Sequence, residues 1–299
     1  MASGSKKVIY AALIANGIIA VIKFIAAAIT GSSAMFSEGI HTTVDTSNQL
    51  LLLLGLKKAK KPADKTHPFG YGKEIYFWSF IVAIMVFAVG AGFSIYEGIH
   101  SVMDPHPVEN VLVSYGVLGI AMIFTGIAWY FARKEFKQIK GNQGYFEAVS
   151  KEKNPTTFVV LFEDSAALLG LFVAVSGIAL SQWTGNPLFD GIASIIIGFI
   201  LGGTAFWLAY ETKSLLIGES AKTDVIDGVE QVIDSYPPIT QVNEVLTLHM
   251  GPSYILLTVS VNFKDDLNTG QIEATIEELT DQIKGEYSQI NRVFIEAEK

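Results

Sequence analysis

Glu38, His41 and Asp45 fall within one run, Ser33 to Leu56, that otherwise reads as a helix long enough to cross a lipid bilayer. An ionisable side chain in mid-bilayer costs about 2.5–3.5 kcal/mol by the lower estimates, so such residues usually line a pathway or a site. At 100° per residue the three lie within roughly 60° of one another on one helix face, and Asn48 continues the stripe. A second cluster, Glu163 and Asp164, sits side by side in VVLFEDSAALLG, the two pointing about 100° apart. Imidazole nitrogen and carboxylate oxygen are donors for divalent cations such as zinc, manganese and iron, whereas Cu(I) prefers sulfur. The chain has no cysteine, which removes thiolate sites and cysteine nucleophiles. Polar groups can also simply bond between transmembrane helices. Two acids flanking an imidazole on one helix, with two acids on another, favour a metal site over that reading.

These groups need helices to carry them. Half of the 299 residues are apolar, 17% are charged and the mean hydropathy is +0.40, which departs from an ordinary soluble domain. Six stretches approach the length of about 20 apolar residues that spans a bilayer. They run near Val8 to Ile29, Ser33 to Leu56, Ile75 to Ile99, Val111 to Phe131, Thr157 to Leu180 and Leu188 to Tyr210. The connection after the second holds Lys57, Lys58, Lys60, Lys61, Lys65 and Lys73, and the one after the fourth holds Arg133, Lys134, Lys137, Lys140, Lys151 and Lys153. The other three connections contain no lysine or arginine. By the positive-inside rule, six spans with cytoplasmic N- and C-termini fit every loop. Spans two and five are then antiparallel, with Asp45 and Asp164 at comparable depths.

Lys6, Lys7, the apolar run after them and Ala26-Ala27-Ala28 imitate a cleaved signal peptide. Cleavage would leave five spans, and Lys23 interrupts the apolar run. Lys23 is expected to snorkel to the outer surface.

The texture changes from Glu219 onward, where 15 acids face 5 bases. The expected order is a helix over Thr223 to Ser235, a strand over Val242 to Met250, a Gly251-Pro252 turn and a strand over Tyr254 to Phe263. A helix over Thr269 to Glu286 and a strand over Arg292 to Ala297 follow. The fold class is therefore an α-helical membrane protein, a six-helix bundle over residues 1–212, with a C-terminal cytoplasmic α+β domain over 213–299. That domain is αββαβ and ferredoxin-like. It is small for a stable core, so pairing with a second copy into a homodimer would bury more of it. Its acidity excludes nucleic acid as a partner.

The chain resembles the cation diffusion facilitator family, solute carriers that exchange zinc and related divalent ions for protons. The resemblance rests on SEGIHTTVD in span two, HPFGYGKE at His67 to Glu74, NPLFDGIASIIIG entering span six, and the acidic tail with its Gly-Pro turn. DTSNQ and LFEDSAALLG are most similar to the zinc-transporter-nine subgroup. The family's transport site pairs HxxxD or DxxxD motifs on spans two and five. His41 and Asp45 match the first motif and Asp164 matches the acid of the second, while Val160 stands where a His or Asp is usual. The resemblance thus implies a transport site of His41, Asp45 and Asp164, with Glu163 as the substitute fourth ligand and Glu38 or Asn48 in support. It also points to two weaker metal sites, Asp64 with His67 in the loop after span two, and His249 with Glu296 and Glu298 in the tail. A turn is the plainer account of the first and exposed edge charges of the second.

Asp190 is expected to complement the dipole of its own helix, and Glu97, His100, Asp104 and His106 to be solvated. The expected function is proton-coupled efflux of a divalent cation, zinc first, then manganese or iron. Metal binds the deprotonated ligands, so protons compete for them, and rocking helices give alternating access. The expected location is the plasma (inner) membrane. The rival readings are an intramembrane metal-dependent hydrolase, against which the lack of an HExxH motif speaks, and a cation channel.

Overall fold

The computed structural model describes residues 3–298. Side chains of residues 1–12, 14 and 15 lie outside the described set, and with them Lys6 and Lys7 of the leader-like stretch. Helix α1 (Ser3–Thr30) and α2 (Ser33–Ala59) are joined at Gly31, whose φ of 68° is a left-handed value that glycine adopts without strain. The third apolar stretch is α3 (Glu74–Met85), one π-helical turn (Val86–Ala91) and α4 (Gly92–Met103). It is followed by α5 (Val111–Lys140), a short α6 (Tyr145–Lys151), α7 (Pro155–Thr184) and α8 (Leu188–Ile217).

By length and apolar composition, four helical stretches qualify as membrane spans among the described residues: Glu74–Met103, Val111–Lys140, Pro155–Thr184 and Leu188–Ile217. Helices α1 and α2, at 28 and 27 residues, reach about 40 Å at 1.5 Å per residue. In α1 only Asn16–Thr30 is described as apolar helix, and α2 is diluted by its own charged stripe. The large side chains Phe172, Phe199, Phe206 and Ile123 are exposed, as a lipid-facing surface requires.

The helices approach closely where glycine replaces bulk. A Cβ on Gly98 would stand 2.6 Å from Ile195, and one on Gly198 would stand 2.5 Å from Ile95, so α4 and α8 pack nearly backbone to backbone. Gly177 meets Ala193 in the same way, joining α7 to α8. Asp190 at the start of α8 does something the sequence reading missed. Instead of only serving its own helix, it accepts hydrogen bonds from Ser32 Oγ (2.7 Å) and from the backbone N–H of Ser33 (2.6 Å) and Ala34 (3.4 Å). It therefore caps α2, answering amide groups that a helix start leaves unpaired.

The chain divides into two compact units. The first holds the chain up to Gly55, Trp78–Val149 and Pro155–Thr212, and the second holds Leu56–Phe77, Ser150–Asn154 and the chain from Lys213. In the second, α9 (Thr223–Asp234), β1 (Ile239–Gly251), β2 (Tyr254–Phe263), α10 (Thr269–Glu286) and β3 (Ile290–Ala297) follow in that order. The sheet order is β1-β2-β3, antiparallel between the first pair and parallel between the second, the parallel pair being linked through α10. Val225, Val229, Val232 and Ile233 recur at helical spacing and bury against Leu257, Val259, Val261, Leu279 and Ile283. Asn268 and Gln271 form a capping box that starts α10. Gly72 meets the β1–β2 turn so closely that a Cβ there would lie 2.3 Å from Met250 O. A Lys153–Glu219 ion pair belongs to the same unit.

Candidate metal centre

Capped by Asp190, α2 presents the middle of its polar stripe, His41 and Asp45, to a cavity of about 480 Å3. His41 and Asp45 line it from α2, and Val160, Glu163 and Asp164 line it from α7. The acids of the two helices thus face common surroundings. His41 is 1% exposed, and neither ring nitrogen has a hydrogen-bond partner. Its Nδ1 lies 3.5 Å from Asp45 Oδ1, which is likewise buried and without a hydrogen bond. Glu163 and Asp164 line the same cavity as Asp45. Carboxylates sharing one poorly solvated space repel one another, so the arrangement favours whatever positive charge enters it. Buried polar atoms left unpaired are rare in native proteins. Here three such atoms, both His41 ring nitrogens and Asp45 Oδ1, lie on the wall of one cavity.

Among the described residues no three His, Asp or Glu side chains converge tightly enough to hold an ion as they stand. The donors surround the cavity rather than meet at a point. Val160, one turn before Asp164, fills with an isopropyl group the wall position where a further ligand would project.

The supporting residues have other partners. Asn48 Nδ2 donates to Glu163 Oε1 at 2.8 Å, so it holds that carboxylate in place across the helix pair. Glu38 does not line the cavity. Its Oε2 takes a hydrogen bond from Lys23 Nζ at 3.0 Å, and both side chains are buried. The expectation that Lys23 snorkels outward is thereby corrected. Its ammonium finds a carboxylate and a hydroxyl inside, which removes the reason to reach for water. Cavity residues that sequence reasoning passed over include Thr42, Gln49, Thr125 and Glu135, and Lys23 lines the cavity as well. Glu135 follows Thr125, Ala128 and Ala132 at helical spacing on α5, a signal legible only once that face is known to border a site.

The two weaker sites are built differently. Asp64 accepts from the N–H of Thr66 and His67, from Thr66 Oγ1 and from Tyr71 OH. The Thr66 hydroxyl and then the Tyr71 phenol hold its carboxyl well below the usual range. These bonds make a turn, with both oxygens engaged, and His67 Nδ1 stands 3.8 Å away. In the tail, His249 pairs in register with Ile255, whose β3 partner is Ile290, whereas Glu296 pairs with Ser260. Five residues of strand separate the two rungs, roughly 17 Å, so His249 cannot share an ion with Glu296 and Glu298. Glu298 instead accepts from Ser260 Oγ. His249 is buried, and burial lowers its proton affinity.

A family model described as the cation efflux transmembrane domain matches residues 9–217. The chain is 34% identical over 262 residues to the proton-coupled zinc antiporter SLC30A9, mitochondrial, of Xenopus laevis, covering 87% of this chain and 47% of that protein. The human protein of the same name is 32% identical over 262 residues, covering 87% and 46%. The manganese efflux system protein MneP of Bacillus subtilis is 26% identical over 291 residues, covering 97% of this chain and 95% of that one. The chain spans about half the length of the vertebrate relatives it matches. The family model covers the helices that enclose the cavity, and on that match the chain belongs to the cation efflux family.

Proposed function

We propose that the protein exports a divalent transition-metal cation, zinc foremost, across a membrane in exchange for protons. Its family transports ions and is not a family of enzymes. The observation that carries the proposal is the single cavity to which α2 brings His41 and Asp45 and α7 brings Glu163 and Asp164. A divalent cation drawn there accepts lone pairs from the crowded carboxylates and from the unpartnered imidazole. Closure of the two helices on the ion completes its shell. Because the same lone pairs bind protons, a proton gradient displaces the ion at the far side, and the protons ride back.

In this reading α1 and α2 join the four apolar helical stretches to make six spans over residues 1–212, and 213–299 form a cytoplasmic ferredoxin-like domain that pairs two copies. The zinc assignment is supported by the vertebrate relatives, which are named proton-coupled zinc antiporters. A manganese reading is favoured by Val160, which removes a ligand position that would suit zinc, and by the name of the Bacillus relative. In this reading the location is the plasma (inner) membrane, whereas the vertebrate relatives are named as mitochondrial.

The test is uptake of zinc and of manganese into inside-out proteoliposomes with an imposed pH gradient. Uptake is expected to follow the gradient and to vanish in Asp45→Ala and Asp164→Ala, with the protein still folded. Normal uptake by either variant, or uptake indifferent to the gradient, would refute the proposal.

A further inference from the structure

The cavity wall already contains a cation. Lys23 of α1 lines it beside His41 and Asp45. An ammonium has three N–H donors, and Lys23 Nζ directs its bonds at α2: Glu38 Oε2 at 3.0 Å, Thr42 Oγ1 at 2.9 Å and Glu38 O at 3.5 Å. Glu38 shares a helix face with His41 and Asp45, one turn from His41, and so occupies a natural ligand position. It is nevertheless fully buried and absent from the cavity lining. Its second oxygen, Oε1, has no hydrogen-bond partner and rests against Gly170 of α7, where a Cβ would come within 2.5 Å of it. Lysine on one side and a glycine notch on the other hold the carboxylate away from the cavity.

We propose that Lys23 withholds Glu38 from the metal site, and so limits how tightly the cavity grips its ion. The number of charged oxygen ligands sets how strongly a site holds a divalent cation. An ion clasped by Glu38 as well as by Asp45, Glu163 and Asp164 would be slow to leave, and a carrier must release what it binds. The proposal rests on the cavity being the transport site, and it assigns Lys23 a positioning role that sets affinity.

The experiment titrates zinc and manganese calorimetrically into the full-length chain in lipid nanodiscs. It compares wild type with Lys23→Met, Lys23→Arg, the double variant Lys23→Met/Glu38→Gln, and Asp45→Asn. Lys23→Met is expected to tighten both metals by about tenfold as the freed carboxylate joins the site, and to slow turnover. Lys23→Arg keeps the pair and keeps the wild-type affinity. The double variant returns to within about threefold of wild type, because no carboxylate remains to be released. A folded Lys23→Met protein whose affinity is unchanged or weaker overturns the proposal. Removing one partner of a buried pair is strongly destabilising, so if Lys23→Met does not fold, the double variant decides. Affinity within about threefold supports the proposal, and a change beyond that in either direction overturns it. Asp45→Asn reports on the site itself. Undiminished binding there would show that the cation resides elsewhere, whereas loss of binding leaves the Lys23 variants as a test of withholding alone.

Discussion

Helix α2 and the loop after it each carry a histidine close to an aspartate, and the two pairs have opposite characters. His41 and Asp45 are in helix and turned to a cavity, with both imidazole nitrogens and one carboxylate oxygen lacking hydrogen bonds. Asp64 and His67 lie in an exposed turn, where Asp64 is saturated by backbone and side-chain donors. The residue types are nearly the same, and solvent and partners make the difference. In water an aspartate is most useful to the fold when its oxygens organise the backbone. Away from water an unpaired donor set is costly, and its persistence in one place points to a ligand that completes it.

The sharpest way to break this comparison is to cut both pairs identically. His41→Ala is expected to reduce metal transport at saturating gradient by about a hundredfold or more, and His67→Ala by less than about twofold, both measured as initial uptake in proteoliposomes. Equal losses would mean that the loop pair is also a metal site. A smaller effect concerns how α2 is held. Asp190→Ala removes the cap on Ser33 and Ala34 and should destabilise the helical unit by about 0.5–2 kcal/mol, read as a lower thermal midpoint in detergent. Asp190→Asn should recover part of it, since an amide oxygen still accepts.

The smallest effect is that of His249. Burial lowers its proton affinity in the folded state, so the unfolded chain binds more protons in the window beneath the ordinary histidine value of about 6.5. Stability of the β1–β2 region is then full above that value. It declines as the pH falls toward the lowered folded one. Faster amide exchange in β1 and β2 at about pH 5.5 than at about pH 7.5, once intrinsic exchange is corrected for, should be present in wild type and flattened in His249→Asn.

Much of the fold was legible because its causes are local. Helical spacing in α9 and α10, alternation in β2 and the Gly251-Pro252 turn are read from neighbours a few residues apart, and the observed β2 and α10 bounds coincide with those expected. The stripe of α2 was legible for the same reason. The π-helical turn over Val86–Ala91 within the third apolar stretch was not, since it lies where the turn and α4 pack on α8 through Gly98, Gly198 and Gly202, far apart in the chain.

The sequence by itself determined which helix faces carry nitrogen and oxygen donors and that two such faces exist, because periodicity along one helix suffices for that. Only the tertiary structure decided what each donor meets. It gave Lys23 to Glu38 and Asn48 to Glu163, sent Asp190 to the start of α2, and separated His249 from Glu296 and Glu298. The physical reason is distance along the chain. Electrostatic and hydrogen-bond partners act over a few ångströms of space, and residues 15 to 157 positions apart become neighbours only when helices pack.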